Sequence, residues 1–352
     1  ILRKGIFVKS IDEIELYRVK DVRMDFTLVN QWAGIGTLGL DSSDETTRDG
    51  PLVIPHIERA AERREDAAWV HLALNAADTL WAPVWRARSL IRGNAEGRPE
   101  AVFLTGEAAR ALRLSVDPQF DMWAFLGLRD GVPVFAMDIS TQDDPLPLLP
   151  AGMGEFTDLR QTAGLLPGQE ASVLAHARGL MHWRTKHRFC GICGSLCAPR
   201  SAGHAMACPG CKAQHFPRTD PAVIMLVHRG DSALLGHSAR FPNSTMYSTL
   251  AGFVEPGESL EEAVAREVFE ESGIRTGAVH YHSSQPWPFP ASIMLGFYAE
   301  GLTEAITIDP TEIVDARWFT RAQLRAPQDH GFNLPRGDSI ARRLIEDWIA
   351  VA

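Results

Sequence analysis

The chain has little cysteine, five residues in 352. An odd count that small does not staple a chain of this length, so a disulfide scaffold is excluded and a reducing compartment, the cytoplasm, is expected. It has no run of about 18 apolar residues, so no membrane-spanning helix is expected. It has no excess of positive charge: 35 Lys and Arg stand against 44 Asp and Glu, a net charge of −9. Proteins that hold nucleic acid by bulk electrostatics need the opposite balance. An enzyme acting on an RNA end does not. An initiator Met, a signal-peptide apolar core and a C-terminal address are also missing. Met24 fits a natural start, and residues 1–23 read as an extra or non-native leader. No internal repeat or low-complexity tract is evident.

What is there divides by composition. Residues 24–150 are rich in Ala, Leu and Trp, with strands expected over 80–91 and 101–104. A hairpin over 122–128 and 132–139 turns at Asp130-Gly131. Residues 151–185 read as linker and helix, since the prolines around 145–150 continue neither ladder and apolar residues recur at helical spacing over 169–183. No chemical motif appears in the first 180 residues, so packing or dimerisation is expected there. Strands over 222–227 and 293–299 and a closing helix over 339–348 make the last region, 217–352, a mixture of strands and helices. The fold class is α+β.

Between these regions, at 186–216, four of the cysteines form two pairs: Cys190-x-x-Cys193 and Cys208-x-x-Cys211. Each pair makes a knuckle with both sulfurs turned to one point. Four thiolates suit one tetrahedral, closed and therefore structural Zn²⁺ per chain. Cys197 is left as a free thiol, and His187 and His204 lack ligand spacing.

The segment Leu260–Ser272 reads as a helix, with Ser259 and Glu262 as a capping box and Gly273 as the residue that ends it. At about 100° per residue, Leu260, Ala263, Val264 and Val268 form an inward stripe. Glu267, Glu270 and Glu271 continue that stripe. Carboxylates on an inward face repel and lose hydration, which a hard divalent cation, Mg²⁺ or Mn²⁺, relieves. Between 252 and 274 seven acids face one base, Arg266, so most of the net negative charge gathers here.

The pattern Gly252-x5-Glu258-x7-Arg266-Glu267-Val268-x-Glu270-Glu271-x-Gly273-Ile274 resembles a complete Nudix box. The preceding ribbon and the array Ser284-Gln285-Pro286-Trp287-Pro288-Phe289-Pro290-Ala291-Ser292 resemble the NADH pyrophosphatase (NudC-type) subfamily. The resemblance implies an N-terminal domain, a zinc ribbon and a Nudix α/β/α sandwich, assembled as a homodimer. It implies hydrolysis of NAD(H) to nicotinamide mononucleotide and AMP, and removal of NAD caps from RNA 5′ ends. Glu267, Glu270 and Glu271 match the metal-binding acids, with Glu271 the catalytic position. The Ala251 carbonyl and Glu312 match further ligands of Mg²⁺ or Mn²⁺. Residues 285–292, Phe253 and Ala341 match substrate contacts, and so does Phe216, which stands where some relatives carry Tyr. Gly203 stands where a relative has an acidic contact. Two other functions are weighed beside this one: a Nudix hydrolase of ADP-ribose or nucleotide sugars, and a non-hydrolytic nucleotide sensor or RNA-binding adaptor.

Overall fold

The computed structural model describes residues 60–114, 122–241 and 243–351, and the backbone of three paired strands, β1 (Val19–Asp25), β2 (Thr37–Ser42) and β3 (Leu52–Ile54). Residues 1–18 of the expected leader lie outside the described residues.

The first sheet is built from β4 (Leu80–Trp85), β5 (Arg88–Gly93), β6 (Pro99–Ala101), β7 (Met122–Arg129), β8 (Val132–Asp138) and β9 (Glu155–Thr157). Its order is β6-β5-β4-β8-β7, with β9 also on β5. Helix α1 (Gly106–Leu114) follows β6, and helix α2 (Gly168–Lys186) follows β9. The Asp130-Gly131 hairpin forms as expected, both residues in left-handed backbone.

Two expectations are corrected. The single strand over 80–91 is a hairpin, turned at Arg86 and Ala87, whose φ angles are +49° and +61°. Neither is a usual residue for that region, so no local signal marked the turn. Tertiary bonds hold it: Ser140 Oγ accepts from the Arg86 amide at 2.7 Å, and the Arg178 guanidinium donates to the Ala87 carbonyl. The stretch 151–185 is no mere linker and helix. Strand β9 pairs with β5, and α2 packs Leu174, Ala177, Leu180 and Met181 against Ala82, Val84, Ala124 and Ala136 of the sheet. It completes the first domain.

The ribbon follows as β10 (Ala198–Arg200), β11 (Ala205–Ala207) and β12 (Gln214–His215). It is seated on the first sheet. The ring of His204 bonds the Phe125 carbonyl through Nε2 at 2.6 Å, and Arg184 of α2 donates to the Trp123 carbonyl. Burial pushes the His204 pKa down to about 4, so the ring is neutral at pH 7. Gly203 has φ +92°, and a Cβ there would lie 2.5 Å from the Trp123 carbonyl oxygen. A glycine is therefore demanded where the resemblance pointed to a lost substrate contact.

The last region holds β13 (Asp220–Arg229), β14 (Ser232–His237), β15 (Leu250–Phe253), helix α3 (Leu260–Ser272), β16 (Thr276–Trp287), β17 (Ser292–Gly301), β18 (Asp315–Thr320) and helix α4 (Ile340–Ala350). The sheet runs β16-β17-β13-β14-β18, with β15 on β13. Helix α3 covers one face through Ala263, Val264 and Val268. Helix α4 covers the other through Ile340, Leu344, Ile345 and Trp348.

The two sheets repeat one plan. In each, a hairpin (β4–β5, β13–β14) joins a second hairpin (β7–β8, β16–β17) through one parallel pair, β4 with β8 and β13 with β17. In each, a later strand closes the far edge: β9 on β5, β18 on β14. The expectation of no internal repeat is thus corrected. The halves share topology but not side chains, and α1 carries a single acid, Glu107, where α3 carries five.

Gly203→Ala is expected to lower stability by more than the roughly 1–3 kcal/mol of a strained backbone conformation alone. Gly131→Ala is the control, since its φ is +80° but a Cβ there meets nothing within 4 Å. Denaturant midpoints of the two variants check this, and equal losses would contradict it.

Candidate active site and metal centres

Helix α3 begins as its sequence demands. Ser259 Oγ accepts from the Glu262 amide at 3.2 Å, and the Glu262 carboxylate accepts from the Ser259 amide at 2.7 Å. Gly273 ends it at φ +71°. This start and stop set which side chains face the sheet. Val264 and Val268 are fully buried, and Glu267 and Glu271 lie buried beside them.

Glu267, Glu271 and Glu312 bring carboxylate oxygens within 4.8 Å of one another. Glu312 comes from the loop after β17. An aspartate turn shapes that loop, with Asp309 Oδ1 accepting from the amide and hydroxyl of Thr311 at 2.8 and 2.7 Å. Strand β15 passes directly over the cluster, and a Cβ on Gly252 would lie 1.8 Å from the Glu267 carboxyl carbon. Only a glycine lets the backbone, including that of neighbouring Ala251, come so close.

Arg266 braces the acids from outside. It meets both oxygens of Glu258 at 2.6 and 3.0 Å, Glu267 at 2.8 Å and the Phe253 carbonyl at 2.9 Å. It also pairs with Glu270 at 3.1 Å. Glu270 is half-exposed and stands outside the three-acid cluster, so the structure joins two of the three expected helix acids and leaves the third on Arg266. Among the described bonds and ion pairs, none reaches Glu271. Burial first, then the charges of Glu267 and Glu312, push its pKa up to about 8. Three close oxygen donors with one brace among them form a set that a hard divalent cation fits.

The four ribbon cysteines also fit a metal. Their sulfurs lie within 4.8 Å of one another, with Cys190 to Cys211 at 3.6 Å and Cys193 to Cys208 at 3.4 Å. Tetrahedral zinc with bonds of about 2.3 Å separates its sulfurs by about 3.8 Å. Backbone amides of Cys193 and Ile192 pull the Cys190 pKa down to about 5, towards the thiolate a metal needs. Cys197 is buried and its thiol is pushed up by burial, consistent with a spare. His187 bonds Trp183 and His204 bonds Phe125, so neither is a ligand in this arrangement. His215, overlooked in the sequence, lies with Cys190 and Cys197 within the same 4.8 Å limit. A residue two places before Pro217 carries no ligand spacing that could have flagged it.

Residues 285–287 end β16, 288–291 turn, and Ser292 opens β17. The Gln285 side chain is engaged at the start of α4, donating to the Asp338 carbonyl at 2.7 Å and accepting from the Ile340 amide at 2.9 Å. Phe289 packs on the first domain. Ala341 is buried in the core under α4, which argues against a side-chain contact with substrate. Trp287 remains 37% exposed. It pairs with Ser292, which pairs with Asp220, two residues before the partner of Phe253. Trp287 and Phe253 (61% exposed) therefore share one end of the sheet, and Phe216 (60% exposed) lies four residues before Asp220.

A NUDIX domain is matched over residues 218–342, an NADH pyrophosphatase-like rudimentary NUDIX domain over 78–183, and an NADH pyrophosphatase zinc ribbon domain over 185–216. The chain belongs to the NUDIX hydrolase family, in the branch that carries the rudimentary domain and the ribbon. It is 45% identical over 225 residues to the NAD-capped RNA hydrolase NudC of Stutzerimonas stutzeri (strain A1501), covering 64% of this chain and 76% of that protein. It is 42% identical over 200 residues to the NAD-capped RNA hydrolase NUDT12 of Homo sapiens, covering 53% of this chain and 43% of that protein. The match thus spans less than half of the human protein. No described helix is long and apolar enough to cross a membrane.

The metal-free protein should lose stability as pH rises through Glu271. A carboxyl whose folded pKa is raised from about 4.5 to about 8 contributes stability that is full below the lower value and gone above the upper one. Between pH 5 and 8 the melting temperature of metal-free wild type is expected to fall relative to that of Glu271→Gln. Added divalent cation should close the gap for wild type. Parallel curves without cation would refute the assignment.

Proposed function

We propose that this chain hydrolyses the pyrophosphate bond of NAD(H), giving nicotinamide mononucleotide and AMP, and that it removes NAD caps from RNA 5′ ends. The observation that carries the reading is the meeting of Glu267, Glu271 and Glu312 beneath β15. The order of rudimentary domain, ribbon and NUDIX domain, and relatives named as NAD-capped RNA hydrolases, support the substrate.

Glu267, Glu271 and Glu312, with the Ala251 carbonyl, are the residues that would hold Mg²⁺ or Mn²⁺. Such ions supply charge for the pyrophosphate oxygens and acidify a bound water. Glu271 is the group suited to orient that water or take its proton, because it is buried and bonded to nothing else described. Arg266 opposes the upward push that burial gives the Glu267 carboxyl and holds it through a charge-assisted bond. Glu270, held half-exposed by Arg266, contributes to the site's field from its rim and joins the ligand set through a side-chain turn. Trp287, Phe253 and Phe216 offer faces on which the flat bases of a dinucleotide stack. The four cysteines hold one structural Zn²⁺, which stabilises a ribbon with little core of its own. The free Cys197 suits a reducing, cytoplasmic setting. The first domain, with no acid cluster among its described residues, serves packing within a homodimer.

Glu271→Gln should lower kcat on NADH by about 100-fold or more while the melting temperature at pH 7, measured with added divalent cation, is kept. AMP release, with and without added Mg²⁺ or Mn²⁺, measures it. Retention of most of the activity would sink the assignment. ADP-ribose turned over with the higher kcat/KM would instead favour a different NUDIX substrate.

A further inference from the structure

The array that the resemblance gave wholly to substrate is divided by the structure. Its Trp287 is partly exposed at the sheet end, while its Phe289 is packed on the first domain. The guanidinium carbons of Arg160 and Arg178 lie over the Phe289 ring, 4.9 and 4.7 Å from its centre. Both arginines belong to the first domain. Arg178 is buried in α2, and its Nε donates to the Pro288 carbonyl at 2.7 Å. Its other arm reaches the Ala87 carbonyl in the strained β4–β5 turn. One guanidinium thus ties the first domain's hairpin turn to the turn between β16 and β17. Phe289 in turn meets Trp287 edge to face, with centres 5.1 Å apart at 75°.

A second tie lies beside the first. Arg336, just before α4, donates to the Arg160 carbonyl at 3.2 Å and pairs with Asp338. The Asp338 carbonyl accepts from Gln285 of the array. Both ends of the array are therefore anchored, one directly to the first domain and one through this loop.

We propose that Arg178, assisted by Arg160, is a positioning residue for substrate: it fixes Phe289, and through it the ring of Trp287, so that the first domain sets how tightly the dinucleotide's base is bound. This rests on the proposed NAD(H) activity for its kinetic consequence, but its structural consequence stands alone. The planar fork matters. A guanidinium bonds two carbonyls and lies on a ring at once, and an ammonium cannot. Cation–π contact with a ring withdrawn from water adds to the hold.

The test uses the full-length, zinc-loaded chain in two arms. The first is backbone hydrogen exchange over 286–292, which needs no substrate. Arg178→Gln should exchange about tenfold or more faster there, with β13 unchanged. Arg160→Gln, at an exposed side chain whose loss spares the first core, should give a smaller change of the same kind. Wild-type exchange over 286–292 in both variants would overturn the proposal. So would loss of protection spread equally over β13, which would make Arg178 a general support of the fold.

The second arm is kinetic. Arg178→Gln should raise KM for NADH about tenfold with kcat within about twofold, the pattern of lost uniform binding. Added to Trp287→Ala, it should raise KM little further, because it acts through that ring. Independent, multiplying effects would overturn the route through Trp287. If wild type fails to hydrolyse NADH, the proposed function falls, while the exchange arm still decides whether the first domain holds the array.

Discussion

Two carboxylates buried on the inner face of one helix are the constraint to which the NUDIX half is fitted. Burying Glu267 and Glu271 removes them from water, and like charge from Glu312 adds repulsion. Several features answer that cost. Arg266 spreads one guanidinium over Glu258, Glu267 and Glu270. Gly252 lets a strand lie on the Glu267 carboxylate where any side chain would collide. The capping box and the left-handed Gly273 fix where the helix starts and stops, and so which acids turn inward. What stays uncompensated is Glu271, buried and reached by none of the described bonds or ion pairs.

The chemistry was readable before the fold because it is written in local spacing. A helix turns at a known rate, so acids at 267 and 271 must share a face with Val264 and Val268. Two knuckles of two intervening residues must aim four sulfurs at one point. Helical phase alone also put Glu270 on the inward side. The structure instead turns it to the rim, because Arg266 lies four residues before it and captures it as an i,i+4 pair. Angle predicts which way a side chain leaves the helix, not which partner it finds.

What escaped the sequence depends on partners far along the chain. The Arg86-Ala87 turn has no glycine or asparagine to announce it, and its partners are distant: Ser140 accepts from the Arg86 amide and Arg178 donates to the Ala87 carbonyl. Strand β9 is three residues long and is a strand only because β5 accepts it. The duplication of the sheet was hidden for a related reason. Topology constrains only which strands are neighbours and which faces are apolar, and many side chains satisfy both. Relieved of a metal cluster, α1 had no need of acids, and the pattern that would have revealed the repeat is the one it lacks.

That asymmetry gives the first domain its place. It retains the sheet and its covering helix, and α2 uses that rigid frame to meet the strained turn of its own sheet and the β16–β17 turn through Arg178, and the carbonyl of Trp123 in β7 through Arg184. The ribbon itself is seated by Gly203 and His204 on the backbone of β7. A domain with no acid cluster among its described residues is therefore in contact with both accessory features of the catalytic half. Its influence on chemistry runs through the position of groups at the mouth of the site and not through groups of its own. The same array of prolines and aromatics can then serve two masters: Phe289 faces the scaffold and Trp287 faces the solvent, and the rigidity of the short turn between them makes the placement of one depend on the other.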